Sequence, residues 1–315
     1  MLLSVFYVLV SLVLLYFGAL WLVKGSSSLA LKAGISPLVA GLTIVAFGTS
    51  SPELVVSVNA AISGHGNIAI GNVVGSNLFN ICIILGISAI IAPLKIRMQL
   101  LKIDIPVLII TTVGFMLLFA DRQISRYEGG ILLFGLILYT ILNVKLARHE
   151  KNADVHAEFK ESIPDQKMKW YWSAGLILVG LGVLIGGSVI LVKGAVSIAR
   201  SLGVGETIIG LTIIAAGTSM PELASSIVAT IKKEYDIAIG NIIGSNIFNI
   251  LGIIGVSSII RPLSAMAISN IDLYIMIGVT LLLLPFFRSK YTLKRDEGIF
   301  MIVIYLIYLY YLWPK

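Results

Sequence analysis

Charge is scarce in this chain. Only 12% of its 315 residues are Asp, Glu, Lys or Arg, against 58% hydrophobic, and the mean hydropathy is +1.00. A soluble domain carries about 25% charge, so a water-facing globule is excluded. No Lys or Arg precedes Lys24. The first apolar run therefore lacks the charged start of a cleaved leader and is expected to stay as a membrane span. Cysteine occurs once, as Cys82, which excludes an internal disulfide and fits a small buried residue. The three histidines, His65, His149 and His156, are expected in loops, so no His/Cys set for zinc or copper exists. No GxxxxGK[ST] segment is present, which argues against ATP-driven chemistry. No nucleophile–base pair or cofactor motif stands out, and neither an enzyme nor a bound cofactor is expected.

What remains is long apolar runs. A spanning helix needs about 20 mostly apolar residues. Ten windows qualify: 2–23, 35–62, 67–92, 100–120, 124–146, 170–192, 204–231, 236–260, 268–287 and 296–313. The expected class is an all-α polytopic membrane protein. The formal charge of +7 is distributed by side. With ten spans, 17 of the 23 basic residues fall on one face and six on the other. Lys/Arg excess marks the cytoplasmic face. Both termini are then expected outside, with the 147–169 loop cytoplasmic. The positive balance reports topology, and no nucleic-acid partner is implied.

The chain is written twice. Gly41-Leu42-Thr43-Ile44 matches Gly210-Leu211-Thr212-Ile213. "GTSSPEL" from Gly48 matches "GTSMPEL" from Gly217, and "IAIGNVVGSNLFNI" from Ile68 matches "IAIGNIIGSNIFNI" from Ile237. Glu53 to Glu222 and Asn72 to Asn241 share one offset of 169 positions. Residues 1–146 and 170–315 thus form two five-helix repeats, joined by a mixed-charge linker, 147–169. That linker is too short for a folded domain. Five spans per half is an odd number, so the second half is inverted in the membrane. Inverted repeats are a construction of secondary transporters, with the site near the midplane.

The duplicated blocks carry the chemistry. Glu53 and Glu222 are the acidic residues expected deep within spans, where a charge costs roughly 2.5–3.5 kcal/mol on insertion scales. No Lys or Arg lies deep in a span to pair with them; a bound cation would. Pro52 and Pro221 remove the amides that would bond the carbonyls of Gly48 and Gly217. Carbonyls around Ala46–Thr49 and Ala215–Thr218 are therefore expected to be available. Thr49 and Glu53, like Thr218 and Glu222, are i, i+4 and share a helix face. Asn72, Ser76, Asn77, Asn80, Asn241, Ser245, Asn246 and Asn249 add amide and hydroxyl oxygens. All are hard ligands suited to Ca²⁺, and acceptable to Na⁺. An empty site with two close carboxylates also favours a retained proton, so the residues alone leave Na⁺ and H⁺ open as counter-ion. Gly41, Gly71, Gly75 and Gly86 read as close-packing positions. Asp104 and Asp272 read as helix starts favoured by the dipole. Ser51 against Met220 breaks the match between the halves.

The paired blocks resemble the two alpha repeats of the cation/Ca²⁺ exchanger superfamily, and prokaryotic sodium/calcium antiporters most. The resemblance spans the whole chain. It implies a plasma-membrane antiporter exchanging Ca²⁺ for Na⁺, with a proton-coupled or K⁺-dependent exchanger as the alternative and no obligatory protein partner. It implies a metal site of Glu53 and Glu222 with Thr49 and Thr218, the carbonyls of Ala46 and Ala215, and Asn80. Ser50, Ser76, Ser219 and Ser245 would line flanking sodium sites. Many sodium/calcium members carry an aspartate where this chain has Asn249, so its centre has two carboxylates rather than three.

Overall fold

The fold was determined as a computed structural model. It describes residues 2–149, 168–202 and 215–312. Most of the linker, His156 and the repeat copy at Gly210–Ile213 lie outside the described residues. Helix occupies the described part of every apolar window. In chain order these are α1 (Leu2–Ala33), α2 (Pro37–Thr49), α3 (Ser51–Ile62), α4 (Gly66–Ile91), α5 (Leu100–Leu118) and α6 (Arg126–His149). The second half continues with α7 (Trp170–Ser201), α8 (Ala215–Thr218), α9 (Met220–Ile231), α10 (Tyr235–Ile260), α11 (Asn270–Arg288) and α12 (Arg295–Leu312). His149 closes α6 and is helical, not in a loop as expected.

The chain is a helical polytopic membrane protein. Among the described residues, seven helices are long and apolar enough to cross a membrane, or eight with the bent pair α2–α3. Of the other two windows, 204–231 lies partly outside the described residues, and α12 opens on Arg295, Asp296 and Glu297.

α1 and α7 run well beyond the 2–23 and 170–192 windows. No breaker stops α1 before Gly34, whose φ of +65° ends the helix in the left-handed region. Ser36 then caps α2, accepting the Val39 amide, with Pro37 in the first turn. α1 and α7 pack chiefly on each other. Ser4 meets Ser197 at 2.8 Å and Ser28 meets Ser173 at 3.0 Å, so the two helices run antiparallel. Between these contacts small residues recur every seven positions: Ser11, Gly18 and Gly25 on α1, and Gly180, Gly187 and Gly194 on α7. A Cβ on Gly180 would lie 2.8 Å from the Gly18 carbonyl oxygen, so the backbones touch.

α10 is the centre of the molecule. Every residue of its 18-residue apolar window is buried. α2 lies directly against it: a Cβ on Gly244 would stand 2.5 Å from the Leu42 carbonyl oxygen, and one on Gly41 2.8 Å from that of Ile237. Gly86 is equally close to Gly298. Gly71 and Gly75 were expected at close contacts too, but a Cβ on Gly71 would meet only Ile268, at an ordinary 3.5 Å, and one on Gly75 would meet nothing within 4 Å among the described residues.

Two short ribbons tie the halves together. β1 (Leu94–Lys95) pairs antiparallel with β4 (Thr292–Leu293), and β2 (Gln123–Ile124) with β3 (Leu263–Ser264). Each half supplies one strand to each ribbon. Asp272 does cap its helix, exchanging hydrogen bonds with Ser269. Asp104 differs: it lies inside continuous helix α5, buried, and accepts a hydrogen bond from Tyr139 at 2.9 Å. Asp272 takes the same bond from Tyr308.

Because the α2–α10 contact is backbone on backbone, Gly244→Ala is expected to destabilise by about 1–3 kcal/mol. The melting temperature in detergent should fall by a few degrees. A Gly278→Ala control, at a helical glycine with nothing within 4 Å among the described residues, should not lower it.

Candidate ion-binding site

Both Pro-Glu blocks break their helices. The chain bends by 47° between α2 and α3. Ser50 (φ −81°, ψ 6°) and Ser219 (φ −88°, ψ 9°) are the two hinge residues. Pro52 and Pro221 then sit in the first turns of α3 and α9, where proline is accommodated, and each leaves the carbonyl four residues before it without a helical amide. Glu53 and Glu222 follow in those same first turns, where the helix dipole favours a negative charge.

The two carboxylates are buried, at 1% and 0% exposure. Their hydrogen bonds cross between the halves. Ser50 donates to Glu222 Oε1 and Ser219 donates to Glu53 Oε1, each at 2.8 Å. Ser76 stands 3.2 Å from Ser219 Oγ. The second oxygen of each carboxylate, Oε2, is buried with no hydrogen-bond partner. Among the described residues neither carboxylate pairs with a Lys or Arg, and no three His, Cys, Asp or Glu cluster.

The "GNxxGSNxFN" segments supply the walls. Asn80 and Asn249 each open a π-helical turn, Asn80–Ile84 and Asn249–Ile254. Such turns widen a helix locally and recur at functional sites. Both amide atoms of Asn80 are buried without partners, as are Asn249 Oδ1 and Ser245 Oγ. Asn249 donates from Nδ2 to Asn77 Oδ1 at 2.9 Å. That bond fixes which end of the amide is left over: the oxygen.

Some expected ligands have other employment. Ala46 was expected to present a freed carbonyl. It keeps its helical partner, the Ser50 amide, at 3.0 Å, because Pro52 frees only the carbonyl four residues before it. Thr49 does not turn toward Glu53. The bend carries its hydroxyl to Asn241 Oδ1, at 3.0 Å. Asn72 and Asn241 donate to the backbone carbonyls of Glu53 and Glu222, at 3.2 and 3.4 Å, and so hold the helix starts. Ala215 and Thr218 lie in α8, beside the second hinge.

Four serines escaped the sequence reasoning. Ser57 receives Asn72, while Ser225 and Ser226 receive Asn241. Ser57 and Ser226 stand one helical turn after each glutamate and obey the 169 offset, a legible signal. Ser188 of α7 donates to the Gly217 carbonyl and has no such signal.

Long apolar helices enclosing two carboxylates, with hard oxygens around them and no cationic side chain among the described residues, belong to the class of membrane ion transporters. The family model described as "Sodium/calcium exchanger protein" matches residues 3–145 and 172–313, and the chain belongs to that family of cation/Ca²⁺ antiporters. It is 41% identical over 320 residues to a protein named as an antiporter, CaxA of Alkalimonas amylolytica, covering 100% of both chains. It is 30% identical over 338 residues to the sodium/calcium exchanger MaX1 of Methanosarcina acetivorans, covering 96% of each. Among solved structures, the sodium-calcium exchanger NCX_Mj soaked with Na⁺ and Ca²⁺ superposes with a TM-score of 0.84 at 33% identity, over 99% of both chains.

A hydrogen bond to a charged group contributes about 1.5–3 kcal/mol. Ser50→Ala and Ser219→Ala should therefore each weaken Ca²⁺ binding roughly 10- to 100-fold, and by similar amounts because the two bonds are equivalent. Calorimetric titration of the purified variants checks this. Unchanged affinity in either would remove the crossed serines from the site.

Proposed function

We propose that the chain exchanges Ca²⁺ for Na⁺ across the plasma membrane, by alternating access at one site shared between Glu53 and Glu222. Two buried carboxylates held crosswise, each with one oxygen unpartnered, carry this reading. Leaving a buried carboxylate oxygen unsatisfied is expensive, and a cation between the halves removes that cost. Ca²⁺ accepts carboxylate, amide, hydroxyl and carbonyl oxygens in flexible arrangements, and all four types surround the two glutamates. Thr49, Thr218, Ser50, Ser76, Ser219, Ser245, Asn80, Asn249 and the carbonyls of Ala46 and Ala215 complete the proposed donor set.

Two glutamates carry two negative charges, which one Ca²⁺ or monovalent ions neutralise. Both species compete for the same pair, so occupancy by one excludes the other, and that exclusion is the coupling. Sodium is favoured as counter-ion by the likeness to MaX1 and NCX_Mj, both sodium/calcium exchangers. Ten spans in two inverted repeats follow from the offset of 169 and the odd number of windows per half. The uneven basic residues support termini outside and a cytoplasmic 147–169 loop. The α1–α7 pair, packed mainly on itself, is the element that slides against the site-bearing bundle.

Proteoliposomes test the exchange. Ca²⁺ uptake should follow an outward Na⁺ gradient and not a pH gradient of equal size at clamped voltage. Uptake driven by protons alone would replace Na⁺ with H⁺. Glu53→Gln and Glu222→Gln should each abolish uptake and also the rise in melting temperature that Ca²⁺ produces. Retention of both in either variant would rule the shared site out.

A further inference from the structure

We propose that Ser188 is a positioning residue that ties α7 to the helix break carrying Glu222, so that α7 cannot move without changing that half of the site. The inference rests on the alternating-access reading above. It begins with the mismatch between the halves. Each proline strips a carbonyl of its helical amide, and a buried carbonyl without a donor is costly. In the first half, Ser51 repairs the loss from within: its hydroxyl donates to the Gly48 carbonyl at 2.7 Å. In the second half Met220 stands at that place and has no proton to give. The repair comes instead from Ser188 of α7, whose hydroxyl donates to the Gly217 carbonyl. The residue of α1 at the 169 offset from Ser188 is Ala19, buried and without a hydroxyl. Each break thus has one serine, but they come from different elements. Ser51 and Ala19 in one half answer to Met220 and Ser188 in the other.

The exchange has a mechanical meaning. The Ser51 bond travels with the break that it repairs. The Ser188 bond crosses an interface, and any slide of α7 past α8 and α9 must stretch or break it. α7 meets the same break a second time one turn further on. A Cβ on Gly217 would fall inside the side chain of Val192, so the two surfaces are in direct contact there. Against Gly48, α7 places Leu181, an apolar contact that can slide without losing a hydrogen bond. The two breaks therefore resist α7 unequally. Gly217 is followed by Thr218 and Ser219, and Ser219 holds Glu53. Loss of the Ser188 bond acts on the backbone that presents this serine.

The test is a distance measurement on the full chain in detergent, without Na⁺ or Ca²⁺. Spin labels go on cysteines at Leu178 of α7 and Ile68 of α4, both exposed, while buried Cys82 stays unlabelled. Ser188→Ala should change the ratio of the two distance populations by about 2- to 10-fold, the factor that corresponds to one hydrogen bond. A second variant, Ser188→Ala with Met220→Ser, supplies the donor from within the helix, as in the first half. It should restore the melting temperature of the parent chain and keep the altered ratio. An unchanged ratio in the single variant overturns the proposal. So does a ratio restored by the double variant, which would reduce Ser188 to satisfying a carbonyl, and so does one distance population in every variant. None of these readings uses an ion gradient. Absent Na⁺-driven Ca²⁺ uptake would count against the exchange reading alone.

Discussion

Two like charges buried side by side are the constraint that the rest of the molecule answers. Glu53 and Glu222 are buried, and among the described residues no basic side chain neutralises them. The protein meets half of the demand with a pair of crossed hydrogen bonds, Ser50 to Glu222 and Ser219 to Glu53. Each half therefore steadies the other half's charge. Neither repeat could form this arrangement alone, because the serine that serves each glutamate stands on the opposite copy. The other half of the demand, one bare oxygen per carboxylate, is met by no side chain among the described residues, and in the proposed exchange it falls to a cation. A site that satisfied both oxygens with protein donors would have no reason to bind an ion and none to release one.

The surrounding architecture keeps that arrangement in register. α10 is buried throughout and accepts α2 so closely that only glycine fits at Gly41 and Gly244. Asn241, on α10, takes the Thr49 hydroxyl on one side and reaches the Glu222 carbonyl on the other. One amide therefore gauges the separation of two helix breaks from different halves. The α1–α7 pair is built differently. Its small residues and terminal serine contacts bind the two helices to each other.

Much of this was legible in the sequence. Apolar windows mark where helices run, because burial in lipid admits few other backbones. Proline beside glutamate in a duplicated block marks the breaks and the charges, since each is costly alone and both recur at one offset. What could not be read was everything that depends on how helices face each other. Thr49 and Glu53 share a face on a straight helix; the hinge at Ser50 separates them. Ala46 seemed to be freed by Pro52, but one turn of register returns its carbonyl to Ser50. α1 outran its apolar window because helix ends are set by Gly34 and not by hydropathy. Asp104 was read as a helix start, yet it lies inside a helix and accepts a hydrogen bond from Tyr139, a contact made by an element 35 positions away. Met220 in place of Ser51 was visible as a mismatch, and only the packing of α7 shows what compensates for it.

The two ribbons impose an order on assembly. β1 has no partner in its own half. Its hydrogen bonds are closed by β4, near the end of the chain, and β2 waits likewise for β3. The first half thus leaves the ribosome with both of its strand edges open, and they stay open until the second half arrives. A protein descended from two fused copies would be expected to come apart at the seam. Here the seam is sewn by each copy lending a strand to the other, so the first half cannot complete its ribbons before the second has been made.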